Sequence, residues 1–150
     1  MSYTKLLYHV VFRTLQSVPA IEIEYEKELY SYIWSFCQQQ KCTLHRINGM
    51  PDHLHLLVEI HQSMAVADFV KQLKNASHKW LEKHQDLFPD FYAWSKGYCA
   101  LSYSEHEKEK IVNYIKNQKE HHQNVGFVDE MKAILFEAGI EINQYLDDDL

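Results

Sequence analysis

Residues 50–60, MPDHLHLLVEI, alternate between apolar and polar side chains directly after a proline turn. Side chains of a strand point alternately to its two faces, so Leu54 and Leu56 lie on one face and His53 and His55 on the other. This pattern predicts a strand with one covered face. It places both histidines on the face that stays uncovered.

The same reasoning extends to the segments on either side of this strand. Apolar runs predict three further strands, and apolar residues at every third or fourth position predict two helices. The strands are expected at residues 5–12, 42–48 and 98–103, and the helices at residues 25–40 and 66–81. The order β-α-β-β-α-β predicts an α+β, ferredoxin-like fold, a split βαβ with an antiparallel sheet and both helices on one face.

Two more helices are expected after the sheet. Ser104 and Glu107 form a capping-box pattern that begins a third helix, and the apolar stripe of this helix includes Tyr114 and Gln118. A fourth helical pattern covers residues 128–139. The sequence thus predicts that additional C-terminal helices, one of them carrying Tyr114, follow the ferredoxin-like core.

The net charge of −6 is concentrated at one end of the 150-residue chain. Residues 127–150 hold seven acids and one base, so residues 1–126 are electrically balanced. This balance argues against broad nonspecific DNA binding and leaves room for a local basic groove. We expect one domain over residues 1–126, followed over residues 127–150 by a helix and an acidic tail that is loose at residues 147–149.

Cysteine usage and hydropathy bear on the compartment. The three cysteines have no metal-binding spacing, and no stretch approaches the roughly 18 apolar residues that a membrane span needs. The first residues also lack the pattern of a signal peptide. The sequence therefore predicts a reducing, cytoplasmic location and no membrane partner.

Two pairs of residues are candidates for chemistry. His53 and His55 project side by side from one strand face, roughly 7 Å apart at Cα, and can hold one metal ion or form a solvated pair. Tyr114 and Gln118 lie four residues apart on one helix face, where Tyr114 is either a core residue or a functional one. A glutamine on an apolar stripe needs partners for its amide. If this helix packs beside the open sheet face, Tyr114 and Gln118 come close to the two histidines. His121 and His122 follow one turn later and either support the site or form a polar helix end, which is the interpretation we favour.

Two segments together resemble the single-tyrosine HUH transposases of small bacterial insertion sequences, in which U is a hydrophobic residue. They are residues 50–58, MPDHLHLLV, and residues 114–122, YIKNQKEHH. This is the IS200-like family, which has the REP-associated tyrosine transposases as relatives. The likeness covers residues 3–125 and also includes residues 9–14, HVVFRT, then Leu73, Lys74, Trp94, Gly97 and Tyr98.

The resemblance implies a metal-dependent nuclease that cuts and rejoins single-stranded DNA, often as a hairpin at the ends of an element, through a 5′-phosphotyrosine. Tyr114 would be the nucleophile, and His53, His55 and Gln118 would hold Mg²⁺ or Mn²⁺. A divalent ion neutralises phosphate charge, and a phosphotyrosine keeps the bond energy for rejoining.

The resemblance also bears on DNA contacts and assembly. Arg13 and Lys74 are the DNA-binding candidates. Family members are homodimers in which the tyrosine helix of one subunit completes the site of the other. Only Ser104 and a short capping segment join the fourth strand to the third helix, which we expect to limit folding back onto the same sheet and to favour exchange between subunits.

Two other functions fit the same residues. The first is a catalytically silent or domesticated regulator that binds single-stranded DNA on the sheet. The second is a metal-dependent phosphodiester hydrolase in which the histidine pair activates water, and such an enzyme would tolerate loss of Tyr114.

Overall fold

A four-stranded antiparallel sheet forms the centre of the computed structural model, which describes residues 1–141 and residue 150. The strands are β1 (Leu7–Arg13), β2 (Thr43–Met50), β3 (His53–Glu59) and β4 (Cys99–Tyr103), in the order β2-β3-β1-β4. Every pair of neighbours is antiparallel. The predicted ferredoxin-like arrangement is confirmed.

Two helices cover the first face of the sheet, as predicted. They are α1 (Glu26–Gln39) and α2 (Val66–Glu82). Leu54, Leu56 and Val58 of β3 are fully buried beneath them, in one cluster with Ile33 of α1 and Leu73 of α2. The alternation in β3 therefore predicted the correct inward face.

Among the described residues, three further α-helices follow β4: α3 (Lys108–Lys116), α4 (Gln118–His121) and α5 (Phe127–Glu137). The capping box of Ser104 and Glu107 is present, and it opens a short 3-10 turn that leads into α3. The predicted third helix is interrupted at Asn117, whose backbone leaves the helical region with φ −96° and ψ 19°. Tyr114 and Gln118 consequently lie on two successive helices.

The second face of the sheet is not open, which contradicts the expectation for His53 and His55. Leu57 of β3 packs against Ile111 and Ile115 of α3. The two histidines are only 1% and 0% exposed. Strand β1 already had the composition of a strand buried on both faces, and such a strand requires a cover on each side.

Helix α5 covers the rest of this second face. Met131 and Phe127 pack against Val11 of β1 and Cys99 of β4. The boundary predicted between residues 126 and 127 coincides with the start of α5, and its status as a domain boundary stays a prediction. The expectation for residues 147–149 falls outside the described residues. Within the described ranges, no helix has the length and apolar character of a membrane span.

The turn before the histidines depends on a close approach between β2 and β3. A Cβ atom at Gly49 would lie 2.2 Å from the carbonyl oxygen of His53. Gly49 pairs with Leu54 in the strand register, and Met50 pairs with His53. The absence of a side chain at Gly49 lets β3 begin at this position.

Candidate active site: a cluster of histidines around one carboxylate

Three histidine rings are held through Nδ1 by neighbouring groups. His53 Nδ1 lies 2.7 Å from Asp52 Oδ1, and His55 Nδ1 lies 2.8 Å from His9 Nε2. His122, just after α4, places its Nδ1 2.6 Å from the carbonyl oxygen of Val125. Each ring is thus oriented so that its Nε2 atom is directed away from these partners, which is the usual arrangement around metal-ligating histidines.

The three Nε2 atoms converge on the carboxylate of Glu130 in α5. Glu130 Oε1 lies 2.9 Å from His122 Nε2, 3.1 Å from His55 Nε2 and 3.3 Å from His53 Nε2. The potential ligand atoms of these four residues all lie within 4.8 Å of one another. Glu130 is 1% exposed, so its charge is buried among the imidazoles.

The other oxygen of the same carboxylate contacts the second predicted pair. The Tyr114 hydroxyl donates a hydrogen bond to Glu130 Oε2, and Gln118 Nε2 donates to it at 2.8 Å. The Tyr114 ring lies 5.9 Å from the His55 ring between centroids. The structure therefore brings His53, His55, Tyr114 and Gln118 together around Glu130, within one chain.

The steric argument against folding back is wrong. Helix α3 reaches its own sheet after the short capping turn, because Ile111 and Ile115 pack on Leu57 of the same chain. Lys119 joins the next helix, α4, to β2 and α1 of the same chain. It donates to Asn48 Oδ1 at 2.9 Å and forms an ion pair with Glu26 at 2.9 Å. Homodimerisation itself stays a prediction.

Burial and hydrogen bonding set the protonation of the cluster. Burial lowers the pKa of His9 to about 3 and that of His55 to about 4, so both rings are neutral at pH 7. Burial also lowers the pKa of His53, but hydrogen bonds to Asp52 and Glu130 outweigh it and raise the pKa above its usual value. A neutral imidazole such as that of His55 is the form that binds a metal.

The Tyr114 phenol and the Glu130 carboxyl are shifted in opposite directions. Burial and the hydrogen bond to Glu130 raise the pKa of Tyr114 above its usual range. Burial favours the neutral acid at Glu130, but hydrogen bonds from His122, His53 and His55 hold its pKa well below the usual range. Glu130 is therefore a carboxylate, and Tyr114 is a protonated phenol.

The donor set fits a divalent metal ion. Three imidazole nitrogens and a carboxylate oxygen suit Mn²⁺ or a softer first-row ion better than Mg²⁺, which prefers oxygen ligands. In addition, Gln118 Oε1 is buried and has no hydrogen-bond partner among the described residues. A buried amide oxygen without a partner is costly, and a metal ion is one group that it can bind.

Neither predicted DNA contact lies open on the surface. Arg13 is 7% exposed, donates to Ser17 Oγ at 3.0 Å and has its guanidinium 5.3 Å from the centre of the Phe127 ring. Lys74 Nζ donates to the carbonyl oxygens of Ser95 at 2.8 Å and Gly97 at 2.7 Å. Their roles in DNA binding stay predictions.

Sequence reasoning missed two members of the cluster, Glu130 and His9. It also missed that His122 points into the cluster. Glu130 carried a signal, because it occupies a core position in the helical stripe Phe127, Glu130, Met131, Ile134. A carboxylate at such a position is rarely buried without a partner. His9 carried the equivalent signal in a buried strand.

Comparison with known proteins identifies the family. The family model described as "Transposase IS200 like" matches residues 2–118. The chain belongs to the IS200-like transposase family. The matched segment contains the histidine pair, Tyr114 and Gln118, whereas His122 and Glu130 lie beyond it.

This IS200-like transposase is similar in sequence to two named transposases. It is 37% identical over 73 residues to the ISDra2 transposase TnpA of Deinococcus radiodurans, covering 46% of this chain and 52% of that protein. The chain thus spans about half the length of that relative. It is 29% identical over 117 residues to the transposase for insertion sequence element IS200 of Salmonella typhimurium, covering 75% and 76% of the two chains.

Two solved structures share its fold. A transposase structure from Deinococcus radiodurans R1 superposes with a TM-score of 0.61 at 30% identity, covering 78% of this chain and 93% of that one. A REP-associated tyrosine transposase bound to a REP hairpin superposes with a TM-score of 0.57 at 13% identity, covering 83% and 73%. The second likeness concerns the fold alone.

Proposed function

We propose that this protein is a DNA transposase that cuts and rejoins single-stranded DNA through a 5′-phosphotyrosine on Tyr114. The observation that carries the proposal is the meeting of Tyr114, Gln118, His53 and His55 around one carboxylate. A nucleophile, a buried amide and two oriented imidazoles at one point are the parts that a phosphodiester transfer needs.

The reaction is a transfer in both directions. Tyr114 gives up its phenolic proton, and its oxygen forms a bond to phosphorus while the bond from phosphorus to the 3′ oxygen breaks. The departing 3′ oxygen takes a proton and becomes a 3′ hydroxyl. The reverse attack by another 3′ hydroxyl restores the tyrosine and joins two strands without ATP.

His53, His55 and Gln118 would hold the divalent ion, Mg²⁺ or Mn²⁺, during this reaction. When bound, the ion would neutralise charge on the nonbridging phosphate oxygens. Asp52 and His9 keep the two imidazoles oriented through Nδ1. The buried Gln118 Oε1 is the amide atom suited to join them.

The DNA substrate in this proposal is a single strand, with hairpin-forming element ends as the natural candidates. An in-line attack needs a phosphate that can be exposed and turned, which a duplex resists. The REP hairpin bound by a protein of the same fold supports this choice. Because the chain is acidic overall, we expect DNA to bind at one local surface of the protein and not nonspecifically over the whole of it.

We also propose a homodimer with shared sites. The chain's own helices bury the histidines, so a DNA strand reaches them only when these helices move. Exchange of α3 to α5 between two subunits would let these helices leave their own sheet, while the partner's helices cover the apolar sheet face around Leu57 and Val11. Tyr114 of one subunit would then attack DNA bound at His53 and His55 of the other subunit.

The test is the formation of a covalent adduct. The protein is incubated with end-labelled single-stranded DNA from the flanks of its own gene, with and without Mn²⁺, and run on a denaturing gel. We expect a protein-linked band that needs Mn²⁺ and is absent in Tyr114→Phe. Tyr103→Phe is the matched control, since the Tyr103 ring lies 6.5 Å from the His9 ring on the same sheet face.

Each alternative outcome has its own meaning. An adduct that persists in Tyr114→Phe would move the nucleophile to another tyrosine. Cleavage without any adduct, retained in Tyr114→Phe, would indicate a hydrolase. Binding of single strands without cleavage would indicate the regulator.

A further inference from the structure

The carboxylate of Glu130 divides its two oxygens between two groups of residues. Oε1 is directed at the imidazoles of His53, His55 and His122, whereas Oε2 accepts hydrogen bonds from Tyr114 and Gln118. Gln118, which the sequence predicted as a metal ligand, therefore contacts the Glu130 carboxylate through its Nε2 atom. The atoms that meet at the centre of the cluster are instead Glu130 Oε1 and the three imidazole Nε2 atoms.

The hydrogen bonds of two rings leave their Nε2 atoms directed at the centre of the cluster. Asp52 Oδ1 and the carbonyl oxygen of Val125 are acceptors, so the Nδ1 atoms of His53 and His122 carry hydrogen. The two Nε2 atoms are the ring nitrogens left to face the centre, and they lie only 3.1 Å apart. Imidazole nitrogens and a carboxylate oxygen this close together form a donor set that a divalent cation binds.

The distances from Glu130 to the imidazoles are close to those within a metal shell. Ligands that bind one ion at about 2.1 Å in tetrahedral geometry are separated from one another by roughly 3.4 Å. The distances from Glu130 Oε1 to the three Nε2 atoms are 2.9, 3.1 and 3.3 Å. A cleft of about 450 Å³ reaches the edge of the cluster, because His122 is among its lining residues together with Asp52 and Phe127.

We propose that Glu130 and His122 join His53 and His55 in a resting, four-residue metal site that holds α5 over the active site when DNA is absent. The inference rests on the divalent metal of the proposed function and deepens it. Glu130 lies on α5, whereas the histidines lie on β3 and after α4, so one ion at this point joins the three segments. A phosphate oxygen of the DNA must displace Glu130 before Gln118 can complete the reacting shell.

The first measurement is metal affinity without DNA. Mn²⁺ is titrated into wild type and Glu130→Gln by calorimetry, and Asp129→Asn is the matched control because Asp129 is the adjacent acid of α5 and is exposed. We expect Glu130→Gln to weaken Mn²⁺ binding by about tenfold or more, and Asp129→Asn to leave it unchanged. Equal affinities in wild type and Glu130→Gln would overturn the proposal.

The second measurement follows the docking of α5 through a buried thiol. Cys99 is covered by α5 beside Met131, and burial raises its pKa to about 11, so alkylation at pH 8 requires exposure. Mass spectrometry distinguishes Cys99 from Cys37 and Cys42, which lie in the core on the other sheet face. We expect Mn²⁺ to slow alkylation of Cys99 severalfold in wild type and to have no such effect in Glu130→Gln.

A Mn²⁺ effect on Cys99 that is equal in the two proteins would contradict the proposed role of α5. If Glu130→Gln does not fold, His122→Gln serves instead, with the same expected loss of affinity and of Cys99 protection. Neither measurement uses DNA or cleavage. A wild type that forms no adduct would thus overturn the proposed function while these results still decide on Glu130.

Discussion

His9 of β1 and His55 of β3 share a hydrogen bond of 2.8 Å between His9 Nε2 and His55 Nδ1. The two buried rings stack with their centroids 5.0 Å apart. Because Nδ1 of His55 is engaged, its Nε2 is left to face Glu130. His9 is thus a positioning residue that acts on the candidate site through His55.

Replacement of His9 by phenylalanine should weaken metal binding. An aromatic ring is kept, but His55 loses the partner that fixes its orientation, so we expect a loss of Mn²⁺ affinity of about 10- to 100-fold. Calorimetry checks this, and His9→Gln should recover part of the affinity because its amide can again bond Nδ1. His61→Ala, outside the cluster, is the control. Wild-type affinity in His9→Phe would remove His9 from the site.

Substitution of Gly49 by alanine should destabilise the fold at the start of β3. The new methyl group would meet the His53 carbonyl oxygen at 2.2 Å, so the strands must separate, and we expect a loss of about 1–3 kcal/mol in the free energy of unfolding. Urea denaturation gives this value. Gly126→Ala has open space around the added group and should cost less. Equal losses in the two variants would argue against the close approach.

Removal of the Lys74 ammonium should lower the free energy of unfolding and leave the salt dependence of DNA binding unchanged. Lys74 Nζ is already bonded to the carbonyl oxygens of Ser95 and Gly97, and Lys74→Met leaves both without this donor. We expect a loss of about 1–3 kcal/mol in urea unfolding and an unchanged salt dependence of DNA affinity. If Lys74 instead contacts a phosphate, the slope of log affinity against log salt will fall by about one.

Complementation between dead variants tests the proposed sharing of sites. His53→Ala and Tyr114→Phe proteins are mixed, allowed to exchange subunits and assayed for the covalent adduct. A mixed dimer with shared sites has one intact centre, so activity should return. An inactive mixture, despite subunit exchange verified by mass spectrometry of differently tagged chains, would place each site within a single chain.

Local periodicity predicted the parts of the site that depend on local geometry. The alternation after Pro51 put His53 and His55 on one face of β3, and helical spacing put Tyr114 and Gln118 on one side of the third helical segment. The same reasoning failed for the cover of that face. Covering helices come from residues far along the chain, and only the nearly unbroken apolar run of β1 indicated that they were needed.

The carboxylate was harder to predict because its partners are distant in sequence. Glu130 and His55 are 75 residues apart and meet only after α5 packs across β1 and β4. Its position in the apolar stripe of α5 was the available signal, but the strongly acidic composition of residues 127–150 favoured a solvent-exposed role for every acid there. His122 was obscured similarly, since a histidine at a helix end is ordinarily solvated.

The family match ends at residue 118, and the five residues from His122 to Gly126 are the connection between α4 and α5. The residues proposed to cut DNA and the helix that covers them are therefore separate stretches of one gene. Substitutions or insertions in the second stretch can alter how readily the site opens and leave the cutting residues untouched. Changes confined to α5 and its connection would therefore tune the rate of the proposed strand transfer and keep its chemistry.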